Sequence, residues 1–157
     1  MPNETYLQLV TREFHGMKSL ADKAIAQITP EQFFAATSDV DNSIAVIVKH
    51  LGDNLLSRWT EFLTSDGEKP DRNRDAEFEV TASDTYQVLL QRWEAGWTAL
   101  FSALEPLTDQ DLMNTVTIRS EPLSILQAVS RQLTPTRTTS GRSFMSPSIT
   151  PAARGGV

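Results

Sequence analysis

From Tyr6 to Gln132 the apolar residues recur at intervals of three and four, a spacing that confines the chain to helices packed side by side. The first run is Leu7, Val10, Phe14, Met17, Leu20, Ala21, Ala24, Ile25 and Ile28, which predicts a helix of about six turns over Tyr6 to Ile28. Asp41-Asn42-Ser43 offers a cap for a second long helix carrying Ile44, Ile47, Val48, Leu51, Leu55, Leu56, Trp59, Phe62 and Leu63. Ser83-Asp84 would cap a third, reaching Leu104 before Pro106, with Val88, Leu89, Trp93, Trp97, Leu100, Phe101 and Leu104 inward. Glu121-Pro122 would open the last, with Leu123, Ile125, Leu126, Val129 and Leu133 apolar.

The connections are as legible as the helices. Thr29, Pro30 and Gln32 have the arrangement of a capping box with proline at the first helical position, predicting a short helix over Glu31 to Ala36 whose Phe33 and Phe34 plug the bundle end. Thr64 to Ala76 reads as an exposed charged loop, Thr108 to Asp111 as the cap of a short turn, and the β-branched Thr115 to Ile118 as a brief extended stretch. The expectation is an all-α fold, an antiparallel four-helix bundle with a disrupted fourth helix, in one domain over residues 1–133.

The pattern breaks at Leu133. Residues 1–132 hold 11 basic and 20 acidic side chains, whereas residues 133–157 hold no acid, three Arg, nine Ser or Thr, three Pro and three Gly. An irregular tail is therefore expected over 134–157, from about Thr134 onward. The acidic body argues against nucleic-acid binding, which needs a basic face to displace counterions. No apolar run is long enough for a membrane span, no signal-peptide pattern opens the chain, and the absence of cysteine removes disulfides and thiolate metal sites. A cytoplasmic protein is the default expectation.

Two segments carry a family resemblance: Asn42 to Glu79, NSIAVIVKHLGDNLLSRWTEFLTSDGEKPDRNRDAEFE, and Ile118 to Leu133, IRSEPLSILQAVSRQL. Together they resemble a subfamily of the DinB-like four-helix metalloproteins, over about 130 residues of this chain. The resemblance implies a histidine triad, with one ligand at His50 and two, four residues apart, on the last helix. Histidines at i and i+4 share a helical face, so one helix can present two imidazoles to an ion and a facing helix the third. It also implies a divalent metal, zinc or nickel, and in some members of the wider superfamily a small-molecule thiol activated by that metal. It implies no substrate for this subfamily.

At the place of the two last-helix histidines this chain has Pro135 and Thr139. In the subfamily the last helix resembles LTHYAYHVGQIVYVAKH, where this chain reads LTPTRTTSGRSFMSPSI. A coding sequence for the first string that loses one base from its first histidine codon translates, with suitable synonymous codons, into Thr134 to Ser148 residue for residue. Phe144, Met145 and Ser146 test this most strictly, because the single Met codon restricts the parent residue there to Tyr or His, followed by Val or Glu. The reading is a single-base frameshift that removes two of three ligands; the alternative is an unrelated flexible tail.

Other residues are read more plainly. His15 on the first helix, beside Phe14 and Met17, is read as structural and not as a partner of His50. Asp53 and Asn54 could reach the site through water but are read as solvated helix positions, and Trp59, Trp93 and Trp97 as core. Glu61, Glu94 and Glu105 do not make a di-iron Glu-x-x-His pattern, and position 47, three before His50, is Ile. The expectation is a DinB-like divalent-metal-binding protein of unknown substrate whose present chain holds no metal. A non-catalytic helical interaction protein is the other class, with an apolar face left by the lost helix driving homodimerisation.

Overall fold

The computed structural model describes residues 5–35, 43–70, 77 and 79–140, the last seven as backbone only. Within them the chain forms α1 (Tyr6–Ala26), α2 (Pro30–Phe34), α3 (Ile44–Trp59), α4 (Tyr86–Leu104), a 3-10 helix (Asp109–Met113), β1 (Thr115–Ile118), β2 (Glu121–Ser124) and α5 (Ile125–Ser140). The molecule is mostly helical, with one small two-stranded sheet.

Short polar side chains start the helices. Thr5 with Gln8 and Thr29 with Gln32 form complete capping boxes for α1 and α2, each satisfying two backbone donors that a helix start leaves open. Ser43 caps α3 by accepting from Val46 N at 3.1 Å. For α4 the cap is Thr85 rather than the expected Ser83-Asp84, because Asp84 is turned away to Lys49. Helix α3 ends at Trp59, short of the expected Leu63: Glu61 takes a positive φ of 49°, Phe62 still reaches the core, and Leu63 is exposed.

One core joins these elements. Phe14, Ala21, Phe33, Val48, Leu55, Leu89, Trp97, Leu100, Ile125 and Val129 are wholly buried, and each large side chain so placed contributes about 1.5–3 kcal/mol relative to exposure. Val88, expected inward, is exposed. The three tryptophans are core, as the spacing predicts: Trp59 Nε1 donates to Gln132 at 3.0 Å and Trp93 Nε1 to Asp22 at 2.9 Å.

The most extensive helix contact is between α3 and α4, and these two run in the same direction. Lys49 meets Asp84, just ahead of α4, whereas Gly52 and Asp53 meet Arg92 and Gly96 further along it. The expected antiparallel order does not describe this pair, since segment 60–85 is long enough to return the chain to the starting end. Their backbones touch through glycine: a Cβ on Gly96 would lie 2.4 Å from Gly52 O. Helix α1 runs opposite to α4, with Asp22, Lys18, Phe14 and His15 meeting Trp93, Glu94, Trp97 and Phe101 in turn.

Two expectations at the C-terminal side are corrected. Glu121 to Ser124 form β2, paired antiparallel with β1 from Thr115↔Ser124 to Ile118↔Glu121, and α5 begins only at Ile125. Ser124 and Gln127 exchange the two bonds of a capping box there, so the helix-start signal is real but lies two residues after Pro122. The other correction is that α5 does not become irregular at Thr134: its backbone stays helical to Ser140. Once a helix is nucleated and packed through Val129, each added residue costs little, although Pro135 cannot donate to the carbonyl of Arg131. Residues 141–157, expected as an irregular tail, lie outside the described residues.

The segment expected as an exposed loop is also partly folded back. Ser57 Oγ donates to Gly67 O at 3.0 Å, Lys69 Nζ donates to Ser57 O and Asp66 O, and Asp66 accepts from the backbone of Glu68, Arg119 and Ser120. Residues 71–76 lie outside the described residues.

Candidate functional site

His50 sits near the middle of α3, and the helix places it beside the segment that leads into α4. Its Nδ1 lies 2.9 Å from Glu77 Oε1; the imidazole is 28% exposed and the carboxylate side chain 3%. The neighbouring Lys49 ties down the same segment, with its ammonium 2.8 Å from Glu79 O and 2.7 Å from Asp84 Oδ2. Consecutive residues of one helix thus hold Glu77, Glu79 and Asp84.

The charges around this corner are paired. Asp84 also accepts from Thr81 N at 2.9 Å and faces Arg92 Nη1 at 3.3 Å, while Asp53 lies 3.4 Å from Arg92 Nε. Burial pushes the Asp84 carboxyl up, but the Lys49 ammonium and the Thr81 donors outweigh it and hold it below its ordinary range. Asp53 is therefore engaged with α4. Asn54 is half-buried.

The two histidines have different surroundings. His15 is exposed, and its ring stacks on Phe101 with centroids 3.8 Å apart and planes within 4°. Phe101 lies near the end of α4, while Lys49, beside His50, reaches Asp84 ahead of its start. His15 instead lines an open cleft of about 660 Å³ together with Gln8, Thr11, Arg12, Leu104 and Glu105. Glu61 and Glu94 are exposed, the latter 3.1 Å from Lys18.

Pro135 and Thr139 fall on the helical part of α5, so these two backbone positions share one face, one turn apart. Their side chains lie outside the described residues. A catalytic zinc site takes three protein donors and leaves a position open. His50 supplies one, Glu77 is turned to the Nδ1 of that same imidazole, Asp53 is directed to Arg92, and proline has no side-chain donor. Among the described residues no three His, Asp or Glu side chains gather in a way that could hold an ion. The residues present do not fit the three-histidine centre that the resemblance implies.

Sequence reading missed Glu77, and beside it the pairing of Lys49 with Asp84. Glu77 lies among charged residues, and its burial depends on tertiary packing against α3. Its segment is part of the stretch that carries the resemblance, yet no periodic signal singles it out.

No curated protein matches the chain. The family described as "Protein of unknown function (DUF1572)" matches residues 2–142, taking in the helices and the hairpin of the described residues with His50 and Glu77, and the chain belongs to that family.

Proposed function

We propose that this chain is a DinB-like four-helix protein whose His50 occupies the metal-ligand position of its intact relatives, and that it holds no stoichiometric metal itself. The observation that carries this reading is the helical backbone of α5 through positions 135 and 139. It gives those positions the one-turn spacing that a pair of histidines needs, while the sequence puts proline and threonine there. In an intact relative the bound zinc or nickel would act as a Lewis acid and lower the pKa of a coordinated thiol or water. Here the residues at hand bind and orient: His50 offers one imidazole and Glu77 holds it. A one-base deletion accounts for the change from histidine to Pro135 and Thr139, and restoring one base near codon 135 should open a frame close to HYAYHVGQIVYVAKH.

The test compares the chain with a Pro135→His, Thr139→His double variant. The unaltered chain is expected to retain well under one equivalent of zinc or nickel after dialysis, and the variant about one. Stoichiometric, stabilising metal in the unaltered chain would overturn the reading, as would a folded variant that binds none.

A second reading, as a self-associating helical protein, draws on α1. Leu9 and Leu20 are 42% and 44% exposed, three helical turns apart on one side. Sedimentation should then show dimers that Leu20→Lys converts to monomers; a monomeric chain would remove this reading.

A further inference from the structure

We infer that Glu77 is a positioning residue for His50, fixing its proton on Nδ1 and so placing the ring's lone pair on Nε2. The assignment deepens the reading of His50 as a ligand position and rests on it for its functional meaning.

The argument begins with donor capacity. An ionised carboxylate accepts only, so a hydrogen bond between Glu77 Oε1 and His50 Nδ1 at 2.9 Å requires the hydrogen to be on the ring nitrogen. A neutral imidazole has one N–H, and its other nitrogen then carries the lone pair. Burial makes the choice firm, because the Glu77 side chain is only 3% exposed and little water competes for it, while the imidazole remains 28% exposed. The segment that follows the carboxylate is tied to the same helix: Lys49, next to His50, binds Glu79 O and Asp84, which keeps the backbone after Glu77 close to α3.

A buried carboxylate behind a half-exposed imidazole is the arrangement by which outer partners orient metal-binding histidines and raise their basicity. Nothing in that arrangement requires the other ligands to be present. Glu77 therefore keeps His50 oriented even where positions 135 and 139 have lost their imidazoles.

The test reads the tautomer directly, by long-range proton–nitrogen correlation on the full-length, metal-free, nitrogen-15-labelled chain at a pH where imidazole is neutral. His50 is expected to show a pyrrole-type Nδ1 and a pyridine-type Nε2. Glu77→Ala is expected to lose that pattern, Glu77→Gln, whose amide oxygen still accepts, to keep it, and His15 to stay unchanged in both as an internal reference. An Nε2–H tautomer in the unaltered chain would overturn the assignment, as would an Ala variant that keeps the Nδ1–H form. Should the Ala variant not fold, the unaltered chain still decides: a deshielded, slowly exchanging Nδ1 proton is expected, and a rapidly exchanging one overturns the assignment. The two readings fail separately, since a histidine-restored variant that binds no zinc removes the metal reading and leaves the tautomer result standing.

Discussion

Asp84 and Asp66 show how single carboxylates secure this chain. Burial would raise the Asp84 pKa, and the Lys49 ammonium with the Thr81 donors reverses it; Asp66 is lowered chiefly by backbone N–H groups, first that of Glu68 and then that of Ser120. Both bind a proton less readily when folded than when unfolded, where the ordinary value is 3.8. Their contribution to stability is therefore complete above that value and is lost as pH falls through the depressed one. Urea unfolding should show stability falling below about pH 4, and Asp84→Asn should flatten that fall; an unchanged slope in the variant would rule the carboxylate out as its source. At neutral pH, Asp84→Ala leaves the Lys49 ammonium buried without its carboxylate and should cost about 3–5 kcal/mol. Asp66 acts differently, since its two 2.7 Å bonds to Arg119 N and Ser120 N hold a turn in which both residues have positive φ, 53° and 64°. Such a turn favours Asn and Gly, which explains why the sequence pattern did not announce a hairpin there.

At the level of elements, the contact between α3 and α4 depends on two glycines. Gly96→Ala would push a methyl against Gly52 O, a backbone atom that cannot rotate away, and should cost about 1–3 kcal/mol by thermal or chemical unfolding. Gly52→Ala meets Arg92 O at 3.0 Å and should cost less; the reverse order would show that the helices do not meet as described. Pro135→Ala restores a backbone donor in α5 and should raise helicity and stability, by up to about 3 kcal/mol; a neutral effect would mean that α5 does not persist through that position. The long helices were legible because Leu7, Val10 and Phe14, or Leu51, Leu55 and Trp59, repeat their spacing over several turns. Caps were legible where the residue pair is local, as at Thr29 and Gln32, and misread where a distant partner takes the side chain, as Lys49 takes Asp84. His50 stands out in the sequence through resemblance, but Glu77 becomes visible only when the return segment is laid against α3.

For the molecule as a whole, the polar corner at His50 and the cleft at His15 are built from different residues, Glu77 holding the one imidazole and Gln8, Thr11, Arg12, Leu104 and Glu105 surrounding the other. The shared direction of α3 and α4 also has a consequence for how the chain assembles. Two helices that run the same way cannot close as a hairpin; the chain must first travel back through segment 60–85, and only then can Gly96 find Gly52. Contacts between residues far apart in sequence slow folding, because loop closure precedes the reward of packing. During synthesis, Val48, Leu51 and Leu55 belong to a helix whose most extensive helical partner, α4, leaves the ribosome only after the return segment. A chaperone that shields apolar helices would find its substrate in that interval, and Gly96→Ala should prolong it.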